Sequence, residues 1–313
     1  MMFVVRGIAV SLTFFVLLYC LLSLIVVSGW RYLRFSRSAS AQGQANLLFW
    51  ARVFPLLASA FVTLGLVVPS FVLREPRSIH EDMGVPLVLG IACLLLFALG
   101  AFRVVAAQMR TSRVVADWLK GANALDAGVT ARAFRANRGT PPLTLVGVCS
   151  PRVLVSEATV ALLNRDELRV AVRHEISHMR SRDNLKKLVF HCSPFPGMAG
   201  LENAWQEAAE LAADDGAVTS ICDALDLAAA LIKLSRLIPL QGSPAFTMAL
   251  VSGSGSVRGR VERLLAWDGS KVRPIQTRWR YVLPPLLATI LCAIAVYGDV
   301  LTQTHRVTEW LVR

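Results

Sequence analysis

The chain has 313 residues, of which 55% are hydrophobic and 17% charged, with a net charge of +12 and a mean hydropathy of +0.53. An ordinary soluble domain carries about 25% charged residues, so this composition excludes a purely soluble globular protein. The basic balance could serve nucleic acid, but no clustered stripe of Lys and Arg with interleaved aromatics is present, and proximity to anionic lipid accounts for it better.

The charge deficit is concentrated. "GIAVSLTFFVLLYCLLSLIVVSGW" before Arg31, "VFPLLASAFVTLGLVVPSFVL" before Arg74, "MGVPLVLGIACLLLFALGAF" before Arg103 and "YVLPPLLATILCAIAVYG" before Asp299 are free of charge. Each approaches the 20 or so residues a helix needs to cross hydrocarbon. The expectation is four transmembrane helices, over about 7–30, 53–73, 83–102 and 281–298. The "ASA" at 39–41 has the look of a cleavage site, but the apolar run before it is long and is followed by Arg31, Arg34 and Arg37, a stop-transfer pattern. Those arginines, with Arg103, Arg110 and Arg113 after the third span, place the first loop and everything from 108 to 278 in the cytoplasm. The N-terminus, the loop "REPRSIHED" and the tail then face outward, in a multi-pass protein of a bacterial-type inner membrane. Six scattered cysteines without a Cys-x-x-Cys pair fit a reduced compartment without structural disulfides.

Residues 108–278 suffice for one domain. "RVVAAQMRTSRVVADWLKGANAL" keeps helical spacing and continues the third span. "TPPLTLVGVCSPRVLVS" reads as two strands or a hairpin, and "LTLVGVC" equally as ordinary core or as an edge to which an extended substrate adds. "NRDELRVAVRHEISHMRSR" is a helix opened by Asn164 and Glu167 as a capping box. Asp183 is expected to cap "NLKKLVFHC", which stops before Pro194 and Pro196. "MAGLENAWQEAAELAADDGAV" and "LDLAAALIKLSRLI" are further helices. "QGSPAFTMALVSGSGSVRG" reads as a Gly/Ser-rich mobile loop.

The chemistry lies in "RHEISHMRSRD". On a helix His174 and His178 share a face and can present ring nitrogens to one ion. Glu175, turned about a third of the way round, can reach a water on that ion as general base. A zinc peptidase site needs a third protein ligand, and Glu202, Glu207 and Glu210 compete for it. Ligands are usually oriented by an outer partner. Asp214 stands one turn beyond Glu210, whereas Gln206 and Leu211 follow Glu202 and Glu207, which favours Glu210. His191, before a proline break, and Arg260 are candidates to stabilise the oxyanion, because all four tyrosines lie in or next to the apolar spans. His80 and His305 read as surface residues.

"VLVSEATVALLNRDELRVAVRHEISHMRSRDN" with "ELAADDGAV" resembles the integral-membrane zinc metallopeptidases of the beta-lactam sensor and antirepressor type, peptidase family M-56. The resemblance implies zinc, one per chain, on His174, His178 and Glu210, with Glu175 as base and Asp214 behind the ligands. "RVERLL" at 260–265 resembles that family's closing basic helix. The expected fold is a mainly α membrane protein carrying a cytoplasmic α+β, gluzincin-like domain with a small sheet. The implied partners are the lipid bilayer and a protein substrate, a soluble transcriptional repressor by analogy, with no direct nucleic-acid contact. The sensors' penicillin-binding domain has no counterpart in 300–313, so drug sensing is not implied. The heat-shock and prenyl-protease group, family M-48, shares the zinc signature and implies membrane quality control instead. A non-catalytic membrane scaffold is the reading from a different class, and the intact Glu175 weighs against it.

Overall fold

The computed structural model describes residues 2–30, 40–74, 84–120, 122–125, 133–136, 141–148, 150–237, 247–249, 257–269, 297–304 and 306–307. The elements among them run α1 (Met2–Gly29), α2 (Ala41–Val62), a π-helical turn (Thr63–Val67), α3 (Val68–Arg74), α4 (Gly84–Leu119), β1 (Asn123–Leu125), β2 (Ala133–Ala136), β3 (Leu143–Val146), β4 (Arg152–Ser156), α5 (Glu157–Leu162), α6 (Arg165–Ser181), α7 (Asp183–Cys192), α8 (Ala199–Ala217), α9 (Ile221–Ser235), β5 (Thr247–Ala249) and α10 (Val257–Leu265). The chain divides into two compact units, one of residues 1–30, 53–99 and 274–313, the other of 31–52 and 100–273.

Some helices are long and apolar enough to cross a membrane, all or part of each lying in the first unit. Three such stretches occur among the described residues: Phe3–Gly29, Ala41–Arg74 and Gly84–Leu119. They expose side chains such as Phe61 at 75% and Leu64 at 70%, which a hydrocarbon solvent accepts and water does not. Pro69 lacks the N–H that would bond the Gly65 carbonyl four residues back, and the π-helical turn sits at that break. The Tyr297 hydroxyl donates to Gly65 O in its place, and Ser70 Oγ donates to Leu301 O. The expected fourth span, 281–298, lies outside the described residues except for 297 and 298, as do His80 and His305.

In the second unit α4 continues as a single helix to Leu119, as its spacing predicts. The sheet is mixed and five-stranded, in the order β1-β2-β4-β3-β5. β3 and β4 form the predicted antiparallel pair, with Leu143 opposite Val155 and Val146 opposite Arg152. Leu143, Leu145, Val153 and Val155 join Val170, Leu227, Leu231 and Leu234 in the main core, while Val146 and Leu154 pack with Val115, Trp118 and Leu119 from α4. The sheet is therefore covered on both faces, and β3 is buried at every position.

Two expectations are corrected here. β3 is not an edge: β4 takes one side and β5 the other, with Met248 opposite Leu145. β5 also shows that part of the Gly/Ser-rich stretch expected to be loop is strand, its backbone satisfied by β3; residues 238–246 and 250–256 lie outside the described set.

Candidate metal centre

α6 supplies the first two side chains. Its start is held by the predicted capping box, in which the Asn164 side chain accepts from Glu167 N–H at 2.8 Å and Glu167 Oε2 accepts from Asn164 N–H at 2.9 Å. That register buries Val170, Ala171 and Ile176 in the core and leaves His174, Glu175 and His178 facing α8 with no exposed surface. α8 approaches closely at Gly216. A Cβ on Gly216 would overlap Ser177 Oγ. This proximity brings Glu210 and Asp214 to the histidines.

His174 Nε2 and His178 Nε2 are 3.1 Å apart. Glu210 Oε2 lies 3.5 Å from the former and Oε1 3.8 Å from the latter. Behind the rings, His178 Nδ1 meets Asp183 Oδ2 at 2.8 Å. His174 Nδ1 lies 2.9 Å from Asp214 Oδ1, in ion-pair contact though bent away from hydrogen-bond linearity. Facing carboxylates, both Nδ1 atoms carry the proton in the neutral ring, so two Nε2 lone pairs and the Glu210 carboxylate converge on one point. A metal cation suits that arrangement, and without one a proton can be shared between the two Nε2 atoms. Tetrahedral zinc with ligand bonds near 2.0–2.2 Å separates its ligand atoms by about 3.4 Å, close to the spacing seen. Among the described residues these three form the one group of His, Cys, Asp and Glu able to hold a metal ion.

Arg260 comes from α10 and is 6% exposed. Its Nε and Nη2 donate to the two oxygens of Asp214 at 2.8 and 2.6 Å, and Nη1 donates to Glu210 Oε2 at 2.9 Å. Glu210 Oε1 is left buried without a hydrogen-bond partner, facing His178. Burial would raise the Asp214 and Glu210 carboxyls, but Arg260 and the histidines hold both below the usual range. Burial opposes charge on His174 as well, yet its close contacts with the Asp214 and Glu210 carboxylates raise it to about 9.

Glu175 has no such support. Neither oxygen has a hydrogen-bond partner, the Leu145 backbone standing near enough only to favour the charge weakly. Burial pushes its carboxyl up to about 8, with the Glu210 charge acting in the same direction and His174 against it.

Sequence reasoning placed His174, Glu175, His178, Glu210, Asp214 and Arg260, and the structure brings all six together. The competing Glu202 is drawn instead to Arg52, at 2.8 Å. His191 stays with its own helix, its Nδ1 donating to Lys187 O at 2.9 Å. Asp183 is a correction. The cap position of α7 is Arg182, in the left-handed region at φ 55°, and no side chain caps it. The Asp183 carboxylate turns to His178 and, at 3.0 Å, to Lys186. The signal was its distance from His178: five residues on, across a helix break, it can fold back on the ring. Lys187 was also missed. One turn beyond Asp183, its ammonium feels Glu210, Asp183 and Glu175, while burial lowers its pKa.

Residues 145–268 match the sequence model of Peptidase family M48, a stretch that holds every residue of this cluster. The match supports a zinc metallopeptidase family. A search of curated proteins found no match.

Proposed function

We propose that the chain is a membrane-embedded, zinc-dependent endopeptidase that hydrolyses peptide bonds of proteins at the cytoplasmic face. The observation that carries this reading is the convergence of two imidazole Nε2 atoms and the Glu210 carboxylate beside a buried, unpartnered Glu175. His174, His178 and Glu210 would hold the ion. Zinc, when bound, supplies Lewis-acid activation of water and of the scissile carbonyl.

The protein's own groups do the rest. Asp214 and Asp183 fix the ring tautomers, and Arg260 holds Glu210 and Asp214 in place. Glu175, next to a ligand histidine and buried, is placed to take a proton from the attacking water and deliver it to the leaving amine. Arg260 directs three of its five N–H groups to Asp214 and Glu210, so its first part is to hold the ligand carboxylates.

The finer reading follows the resemblance to the sensor type: regulated cleavage of a transcriptional repressor, in an inner membrane. The match to Peptidase family M48 favours a second reading of the same chemistry, quality control of membrane proteins.

The test is zinc content per chain in detergent-purified protein, followed by casein hydrolysis. Wild type should hold about one zinc per chain. Glu210→Ala should lose it, and Glu175→Gln should keep it yet lose at least about 100-fold in rate. Zinc-loaded wild type that cleaves no protein would leave a scaffold as the function.

A further inference from the structure

The C-terminal end of α7 is gripped from several sides. Arg52, on α2, is 2% exposed. Its Nη2 donates to Ser193 O at 2.7 Å and Phe190 O at 3.3 Å, its Nη1 to Ser193 Oγ at 3.2 Å, and its Nε to Glu202 Oε1 at 2.8 Å. The guanidinium lies 5.5 Å from the centre of the Phe190 ring, which also packs against Phe49 and Trp205. From α4, Gly100 comes so near that a Cβ would overlap the Cys192 carbonyl oxygen. All these residues belong to the second unit. α2 and α4 are both helices apolar enough to cross a membrane.

The other end of α7 is Asp183, the partner of His178. A helix of ten residues is about 15 Å long and stiff, so an end held by three guanidinium bonds cannot shift or rotate without moving the other. Phe190 O, which also accepts from the Ser193 N–H, and Ser193 O lie at the C-terminal end of the helix, where a cation is favoured.

We propose that Arg52 is a positioning residue of the metal centre: it fixes the far end of α7, and α7 carries that constraint to Asp183 and so to the orientation of His178. The ligand set is thus tuned by an apolar helix outside the matched region. This rests on the metal-site reading of His174, His178 and Glu210, but not on peptidase activity.

The experiment is a double-mutant cycle on zinc affinity, read by chelator competition on full-length protein in detergent. Arg52→Ala and Asp183→Asn should each weaken zinc binding by about 10- to 100-fold. The double variant should be no weaker than the weaker single, because both remove the same constraint. Lys233→Met, which breaks the contact from α9 to Glu167, should combine with Asp183→Asn multiplicatively. Should Arg52→Ala fail to fold, Arg52→Lys, which keeps the charge and loses the fork, and Gly100→Ala, which presses on the same end of α7, take its place. Unchanged zinc affinity in the Arg52 variants, or effects that multiply with Asp183→Asn, would overturn the proposal. If the cycle shows coupling while wild type cleaves nothing, the positioning role stands and the peptidase reading falls.

Discussion

His174 and Glu175 are neighbours in sequence with opposite surroundings. His174 is anchored by Asp214 and sees Glu210, whereas Glu175 is buried without a partner. In chelator-stripped protein both bind a proton more tightly when folded: His174 at about 9 against 6.5, Glu175 at about 8 against 4.5. The folded state then holds more protons than the unfolded one, so stability falls with rising pH. The contribution of His174 is complete below its unfolded value and lost as pH rises through about 9, and that of Glu175 is lost through about 8. The melting temperature of stripped protein should decline between pH 6.5 and 9, and the stabilisation by added zinc should grow over the same range, since binding displaces protons. A flat or rising profile without metal would contradict this account of His174 and Glu175.

Among elements, the contact of α6 with α8 decides whether the ligands meet. Its closest point is Gly216 against Ser177. Gly216→Ala adds a methyl group where the two helices leave no room, and overpacking of this kind costs about 1–3 kcal/mol. Urea unfolding of the zinc-free protein should show that loss, and Ser177→Ala should recover part of it by removing the overlapping hydroxyl. A Gly216→Ala variant as stable as wild type would mean that the helices separate freely. The helices of this domain were legible because capping and apolar spacing are local. β1 and β2 were not: β2 pairs with β4 in parallel, a partnership made across the intervening hairpin strand, and such short strands carry no alternating pattern of their own. β5 was hidden for the same reason, since three residues within a Gly- and Ser-rich stretch become a strand only because β3 offers a partner.

For the whole molecule the question is which side of the membrane holds the metal centre. The arginine bias supports the proposal that residues 108–278 lie in the cytoplasm. Cys222, exposed at the start of α9, allows a direct check. In a variant retaining it as the only cysteine, a membrane-impermeant maleimide should label spheroplasts only after permeabilisation. Labelling of intact spheroplasts would invert the orientation and remove a cytoplasmic repressor from consideration.

The sequence by itself determined three apolar spans, the α6 capping box and the placing of two histidines and a glutamate on one helix, because each depends on residues within a few turns of one another. It also favoured Glu210 over Glu202 and Glu207 by the position of Asp214. Tertiary structure alone decided that Asp183 turns back to His178, that Arg260 is committed to carboxylates, that Glu202 belongs to Arg52, and that β3 is flanked on both sides. Each of these is a choice among partners distant in sequence, and a polar group buried by folding takes the partner that packing brings within reach.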